Sequence, residues 1–202
     1  MDYIIRLETP QDESYVENLT RESFWNVYRP GCSEHCVLRR LRKDPSFIPE
    51  LNFVLEYDGH IIAHVIFVEY ELVLNSGGRE KVLSFGPLTV NPGCHHRGVG
   101  SYLLRYALDK AKSMGYKSCF VLGNPRFYGT IGFKHAKEYG ICFQDMDENF
   151  THFQAMEFEE GALKGKEGRV YIPKAYYPTD EEVEEFDKQF PPKEKLKLPG
   201  QL

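Results

Sequence analysis

The run Val90-Asn91-Pro92-Gly93-Cys94-His95-His96-Arg97-Gly98-Val99-Gly100-Ser101 sets two glycines and a cation between two kinds of periodicity. The stretch before it, from Val82 to Val90, reads as a strand, whereas Tyr102, Leu103, Leu104, Tyr106, Ala107, Leu108 and Ala111 recur at helical spacing. Gly98 and Gly100 therefore fall at the mouth of a helix, where backbone N–H groups lack intrahelical partners and the helix dipole favours negative charge. Glycine lets the main chain approach a phosphate with no Cβ in the way, and Arg97 adds a positive charge. The chemistry that suits such a turn is the binding of a phosphate-bearing ligand. It is not the dinucleotide fingerprint, which needs GxGxxG and an acidic residue about 20 positions on, and it lacks the GK[ST] of a Walker loop. Taken alone, a plain strand-to-helix turn with a Gly-rich start has the same local pattern.

A second segment narrows the reading. After the β run Ser118-Cys119-Phe120-Val121-Leu122-Gly123 comes Asn124-Pro125-Arg126-Phe127-Tyr128-Gly129-Thr130-Ile131-Gly132-Phe133. Together the two segments resemble the GNAT superfamily of acyl-CoA-dependent N-acyltransferases, whose signature is a V-x-P-x-x-[QR]-x-x-G-x-[GA] turn followed by Y-x-x-x-G-F. Val90, Pro92, Gly98, Gly100, Tyr128, Gly132 and Phe133 match in order and at family spacing. The wider chain resembles the small YhbS-type branch through its Gly86-Pro87-Leu88-Thr89-Val90 strand and through the stretch from Phe153 to Leu163, which looks like that branch's closing strand and loop. The resemblance runs from residue 3 to residue 175. His95 departs from it, standing where the family carries Gln or Arg; a neutral imidazole still hydrogen-bonds, but its charge varies near a reference pKa of about 6.5.

The resemblance implies an α/β GNAT fold: a mixed, mostly antiparallel sheet with a splayed, V-shaped opening, flanked by helices. It implies acetyl-CoA as co-substrate and direct attack by a primary amine, from a small molecule or an amino terminus, within a ternary complex. On that pattern the cofactor lies against Leu88, Thr89, Val90, His95, His96, Arg97, Gly98, Val99, Gly100, Ser101, Asn124 and Tyr128. Main-chain groups of Leu88 and Val90 would pair with the pantetheine amides, and Tyr128 would protonate the departing thiolate. Glu69 and Glu71 share one side-chain parity on their strand and are the candidates for taking the amine's proton, with a water chain as the other route. His64 has the opposite parity. Trp25, Tyr28, Glu34 and His35, with Cys32 between them, form an aromatic and acidic cluster suited to a cationic acceptor. A non-catalytic acyl-CoA-binding regulatory module remains an alternative, as does an acetyltransferase acting on histones or ribosomal proteins.

Composition bounds these readings. The chain has 202 residues, 42% of them hydrophobic and 27% charged, which suits one domain with a substantial core. No apolar run approaches the roughly 20 residues that span a bilayer, so no membrane association is expected. Met1-Asp2-Tyr3-Ile4-Ile5-Arg6 has no signal-peptide pattern, and the five cysteines fit reduced thiols better than a disulfide framework, so a cytoplasmic location is expected. A net charge of −5 argues against a nucleic-acid surface. Around the Gly turn, however, Arg97, Arg105, Lys110, Lys112 and Lys117 are offset only by Asp109, a local positive potential that suits coenzyme A. Neither Cys32-Ser33-Glu34-His35-Cys36 nor Cys94-His95-His96 has recognised zinc spacing, and no metal is expected. Members of such families are often dimers, so a homodimer is an open expectation.

The elements that must position these residues follow from the same pattern. Tyr3 to Leu7 reads as a strand, and Thr9-Pro10-Gln11-Asp12 precedes a helix carrying Tyr15, Val16, Leu19, Phe24 and Trp25. A second helix starts at Ser33 or Glu34, directs Val37, Leu38 and Leu41 inward and stops at Pro45 or Pro49. Phe53 to Tyr57, the turn Asp58-Gly59 and Ile61 to Leu74 form a hairpin, and the next strand ends at Val90 with an interruption expected at Gly86-Pro87. Residues 1–175 are thus read as the acetyltransferase domain. Residues 176–202 are read as an extension: a short helix capped by Asp180, bearing Val183, Phe186 and Phe190, and a loosely packed or partner-clasping tail.

Overall fold

Runs of β-branched and aromatic residues favour the pleated, half-buried conformation, and where they give way to a helical period the chain changes element. The computed structural model describes residues 3–147 and 149–201. Met1, Asp2, Glu148 and Leu202, which include the start of the N-terminal segment and the end of the extension read above, lie outside them. The elements in chain order are β1 (Ile4–Leu7), α1 (Glu13–Phe24), α2 (Glu34–Leu41), β2 (Phe53–Tyr57), β3 (His60–Leu74), β4 (Arg79–Val90), α3 (Val99–Ser113), β5 (Ser118–Leu122), α4 (Pro125–Gly129), β6 (Lys134–His135), β7 (Ile141–Phe143), β8 (Phe153–Glu157), β9 (Gly168–Tyr171) and α5 (Asp180–Asp187). Parallel ladders join β4 to β5 and β7 to β9, while β1–β2, β2–β3, β3–β9, β5–β8 and β6–β8 are antiparallel. The fold is therefore α/β with a mixed, mostly antiparallel sheet and flanking helices, as the resemblance implies. No helix among the described residues is long and apolar enough to cross a membrane.

Contacts divide the chain into two compact units. The first holds the described residues up to Ile66, Pro87–Leu104, and those from Lys174 onward. Here β1 pairs with β2 and β2 with β3, and Asp58 and Gly59 both take positive φ (51° and 72°), as the two-residue turn of a tight hairpin requires. Helix α2 ends at Leu41, ahead of both prolines proposed as its stop. Helix α5 is capped by Thr179, not Asp180: the Glu182 N–H donates to Thr179 Oγ1 and the Thr179 N–H to the Glu182 carboxylate. Thr-x-x-Glu is the capping box, and Asp180 sits inside the first turn.

The C-terminal tail is not loose. Trp25 Nε1 and Asn26 Nδ2 donate to the Glu194 carbonyl, the Leu196 N–H donates to Asn26 Oδ1, and Gln201 Nε2 donates to the Asn26 carbonyl. Sequence composition shows a shortage of apolar residues there but is blind to this main-chain pairing. Helix α5 packs on α2 through Cys36, Val183, Phe186 and Phe190, and Arg40 donates to the Lys174 and Ala175 carbonyls.

Also in this unit, His64 is fully buried and donates from Nε2 to Asn52 Oδ1 at 2.7 Å, beside Glu8 and the Glu8–Arg42–Glu17 ion pairs. Burial pulls the His64 imidazole down to about 4, against the charge of Glu8. His35, also buried, is pulled down by burial to about 4. Between pH 6.5 and 4 the unfolded chain therefore binds protons that the folded chain does not. That part of the stability is complete above pH 6.5 and is lost as pH falls toward 4. The expected loss between pH 7 and pH 5 is about 2 kcal/mol per histidine, read as a difference in urea unfolding free energy. A His64→Gln variant should lose one histidine's share of that pH dependence, about 2 kcal/mol between pH 7 and pH 5, whatever its own stability, and an unchanged slope would remove His64 as its source.

The second unit holds Phe67–Gly86 and Arg105–Pro173. Within it β9 runs along β3, β3 pairs with β4, β4 with β5, β5 with β8 and β8 with β6. The parallel ladder of β4 and β5 consists of Leu83–Cys119 and Ser84–Phe120, and Ser84 Oγ donates to the Phe120 carbonyl. Two residues later Gly86 takes φ 139°, yet β4 runs unbroken from Arg79 to Val90, so the interruption expected at Gly86-Pro87 is confined to a backbone angle. Phe67, Phe85, Phe120 and Phe153 are buried in this unit.

Candidate active site

Helix α3 opens where the glycine pattern places it. Its hydrogen bonds begin with the Tyr102 N–H donating to the Gly98 carbonyl, so the amides of Val99, Gly100 and Ser101 point out of the helix end. Gly98 sits at φ 79°, a left-handed conformation that a Cβ would strain, and His96 and Arg97 beside it are exposed. The approach is braced from below. Asn91 Oδ1 accepts from the Gly93 N–H, the Asn91 N–H donates to the Ile62 carbonyl, and Pro92–Cys94 form a 3-10 turn. His95 Nε2 donates to the Val90 carbonyl at 2.9 Å, and Ser23 Oγ donates to the same oxygen at 2.6 Å. Both lone pairs of that carbonyl are thus engaged, and the His95 ring fastens the loop to its own strand. Thr89 is buried, its hydroxyl 2.9 Å from that of Thr20 on α1, so its side chain anchors β4. Leu88 and Val90 are half-buried.

In the other unit Asn124 caps α4, its Oδ1 accepting from the Arg126 N–H. The Tyr128 carbonyl accepts from the N–H groups of Ile131, Gly132 and Phe133. That turn needs Gly132 at φ 119°, which gives the Y-x-x-x-G-F pattern a structural reason. Rings surround Tyr128 edge-on, with Phe127, Phe85 and Phe133 centroids at 4.9, 5.7 and 5.8 Å. Gly123 supplies the remaining wall: a Cβ there would lie 2.3 Å from Tyr128 Cε2. Gly123→Ala must therefore move the ring. Because a misplacement near 1 Å costs about 100-fold, steady-state kinetics of the variant should show a fall in kcat of at least about tenfold, with acetyl-CoA affinity kept in a titration.

Glu69 and Glu71 do share a face of β3, as their parity requires, and each is ion-paired across the hairpin. Lys81 Nζ lies 2.5 Å from Glu69, and Arg79 Nη1 lies 2.8 Å from Glu71. The Glu69 side chain is the better covered, 24% exposed against 45%.

The Trp25 cluster is built differently from its sequence outline. The Arg21 guanidinium stacks over the indole at 4.1 Å, so the protein's own cation occupies the face that the sequence reading offers to an acceptor's ammonium. Arg21 is buried on the α1 stripe and pairs with Asp187 of α5 through Nε (2.6 Å) and Nη2 (3.1 Å). His35 is enclosed between Phe186 and Phe190, while Tyr28 is exposed. Glu34 accepts from the Ser33 N–H, and burial raises its carboxyl above the ordinary range. Arg21, Ser23 and Asp187 escape sequence reasoning, since nothing local links position 21 to position 187.

The cradle, the tyrosine turn and the mixed sheet define a class. The profile of the acetyltransferase (GNAT) family matches residues 14–133, more than half of the chain, and the chain belongs to that family. An uncharacterized N-acetyltransferase of Escherichia coli strain K12, YjhQ, is 30% identical over 100 residues, which is 48% of this chain and 54% of that protein. The match thus spans about half the length of this curated relative. Among solved structures, the GNAT family N-acetyltransferase YhbS of Escherichia coli in complex with CoA is 25% identical, with a TM-score of 0.74 covering 87% of this chain and 92% of that one. A GNAT family acetyltransferase of Brucella melitensis in complex with acetyl-CoA shares the fold at a TM-score of 0.68 and 24% identity, covering 87% and 98% of the two chains.

Proposed function

We propose that this protein transfers an acetyl group from acetyl-CoA to a primary amine, the amine attacking the thioester while both substrates are bound. The observation that carries this reading is the outward row of amides at the start of α3, behind Gly98 at φ 79°. Family membership and relatives solved with CoA and acetyl-CoA support it. Amides from Arg97 to Ser101 hold the pyrophosphate. The Leu88 N–H polarises the thioester carbonyl and stabilises its oxygen as negative charge develops. Glu69, better covered than Glu71, takes the ammonium proton, and the free amine attacks the carbonyl carbon. As the C–S bond breaks, Tyr128 gives its proton to the thiolate; a phenol of pKa about 10 stays protonated at neutral pH and can serve a thiolate whose acid lies near about 8.5. Tyr28 and Glu34 serve the acceptor, a small-molecule amine or an amino terminus.

The ion pairs that hold Glu69 and Glu71 favour a second reading, an acyl-CoA-binding module without turnover. Calorimetric titration of acetyl-CoA, followed by thiol release against a panel of amines, separates the two. Binding with release for one amine class is the expected result, binding without release across the panel supports the module, and absence of binding overturns both.

A further inference from the structure

A cavity of about 290 Å³ in the first unit is lined by Trp25, Cys32, Val183 and Asp187, with Arg29 and Lys195 among its other walls. Two of its lining residues, Cys32 and Asp187, are bridged by the buried His35 behind them. Cys32 Sγ is 3.3 Å from His35 Nδ1, and His35 Nε2 is 3.2 Å from Asp187 Oδ1, within ion-pairing distance though off the hydrogen-bond line. Asp187 is in turn gripped by Arg21, and the imidazole is fixed by the Phe186 and Phe190 rings at 5.2 and 5.4 Å. The imidazole separates thiol from carboxylate and offers one ring nitrogen to each. That is the order of nucleophile, base and orienting acid in a proton relay. The acetyl-transfer steps above use none of the three.

The geometry points to Cys32 as a nucleophile of this protein, one that accepts the acyl group of a small activated ester or thioester entering the cavity. In that step the Cys32 S–H proton passes to His35 Nδ1, Sγ bonds to the acyl carbon, the bond from that carbon to the leaving oxygen or sulfur breaks, and His35 returns the proton to the leaving group. The products are S-acyl-Cys32 and a free alcohol or thiol. The Asp187 charge, 3.2 Å from Nε2, favours the tautomer with its proton there, which leaves Nδ1 open to the thiol. Burial keeps the thiol protonated at rest, opposed by the Arg21 charge and the His35 main-chain N–H; burial likewise keeps the imidazole neutral. The base therefore has to act during the attack, as it does with a serine nucleophile. The cavity's size, at the low end for ligand sites, suits a small acyl compound.

The other cysteines supply internal controls. Cys36 is as buried as Cys32, 5% against 4% exposed, and packs against Val183 and Phe186, whereas Cys94 and Cys142 are more exposed than either. The test is native-state incubation of the full chain with p-nitrophenyl acetate, reading acetyl occupancy of each cysteine by peptide mass spectrometry over time. Cys32 should be acetylated first, ahead of the more exposed Cys94 and Cys142, and Cys36 should stay free. His35→Gln should slow Cys32 at least tenfold and leave Cys94 and Cys142 unchanged. Occupancy that follows exposure, with Cys32 no faster than Cys36, overturns the assignment; this comparison uses the wild-type protein and survives any folding defect of the variant. Amine acetylation is not part of the readout, so failure here leaves the acetyl-transfer reading standing.

Discussion

On the proposed mechanism Tyr128→Phe should lower kcat for amine acetylation by about 100- to 10,000-fold, the range for loss of one positioned proton donor. Acetyl-CoA affinity stays within a factor of about two, because an interaction made only as the thiolate leaves does not contribute to ground-state binding. Phenylalanine keeps the ring among Phe85, Phe127 and Phe133 and against Gly123, and the turn is held by the Tyr128 main-chain carbonyl, which the change does not touch. Stopped-flow measurement of thiol release beside a calorimetric titration reads both quantities. An unchanged rate removes Tyr128 as the acid. A matched loss of rate and affinity assigns it to binding instead. Paired with Gly123→Ala, the two variants distinguish a missing proton from a displaced ring, since only the second should also alter packing around Phe133.

The glycine turn ahead of α3 and the turn after Tyr128 are legible in the sequence because each is local. Gly98 and Gly132 are required by backbone angles set within a few residues, so their spacing survives as pattern. The hairpin at Asp58-Gly59 and the inward residues of α2 were legible for the same reason. What escaped depends on residues far apart along the chain. Trp25, Glu34 and His35 are recognisable as an aromatic and acidic cluster. That Arg21 already covers the indole, however, follows only from its pairing with Asp187 across most of the chain's length. Likewise a tail rich in Pro and Lys gives no apolar signal, yet it docks through main-chain carbonyls and Asn26, whose contribution no hydropathy pattern records. The Thr179 cap is a different case: Thr-x-x-Glu is present in the sequence, but the adjacent Asp180 carries a competing cap signal.

Asp187→Ala should lower stability by about 3 to 5 kcal/mol, the cost of leaving a buried charge uncompensated. The Arg21 side chain is 1% exposed, and its other carboxylate neighbour, Glu22, is 3.7 Å away and 40% exposed, too wet to replace the bidentate pair. For a chain of this size such a loss shifts the melting temperature by on the order of 10 °C. Trp25, the single tryptophan, lies under the Arg21 guanidinium, so intrinsic fluorescence reports from the site of damage while far-UV circular dichroism follows the whole chain. Replacing both partners, Arg21→Met with Asp187→Leu, should recover much of the loss, because the penalty arises from the orphaned charge more than from the attraction removed. The pH dependence has a defined sign. Burial works to raise the Asp187 carboxyl, and the hydrogen bonds and charge of Arg21 overcome it, leaving it below its ordinary range. The contribution is thus complete above the unfolded carboxylate pKa of about 4 and disappears as pH falls further. Wild type and Asp187→Ala should therefore converge in stability on strong acidification, whereas parallel curves would place the loss in packing rather than charge. The carboxylate that stabilises the α1–α5 contact through Arg21 also lies 3.2 Å from the His35 imidazole whose other nitrogen faces Cys32, so Asp187→Ala should perturb both.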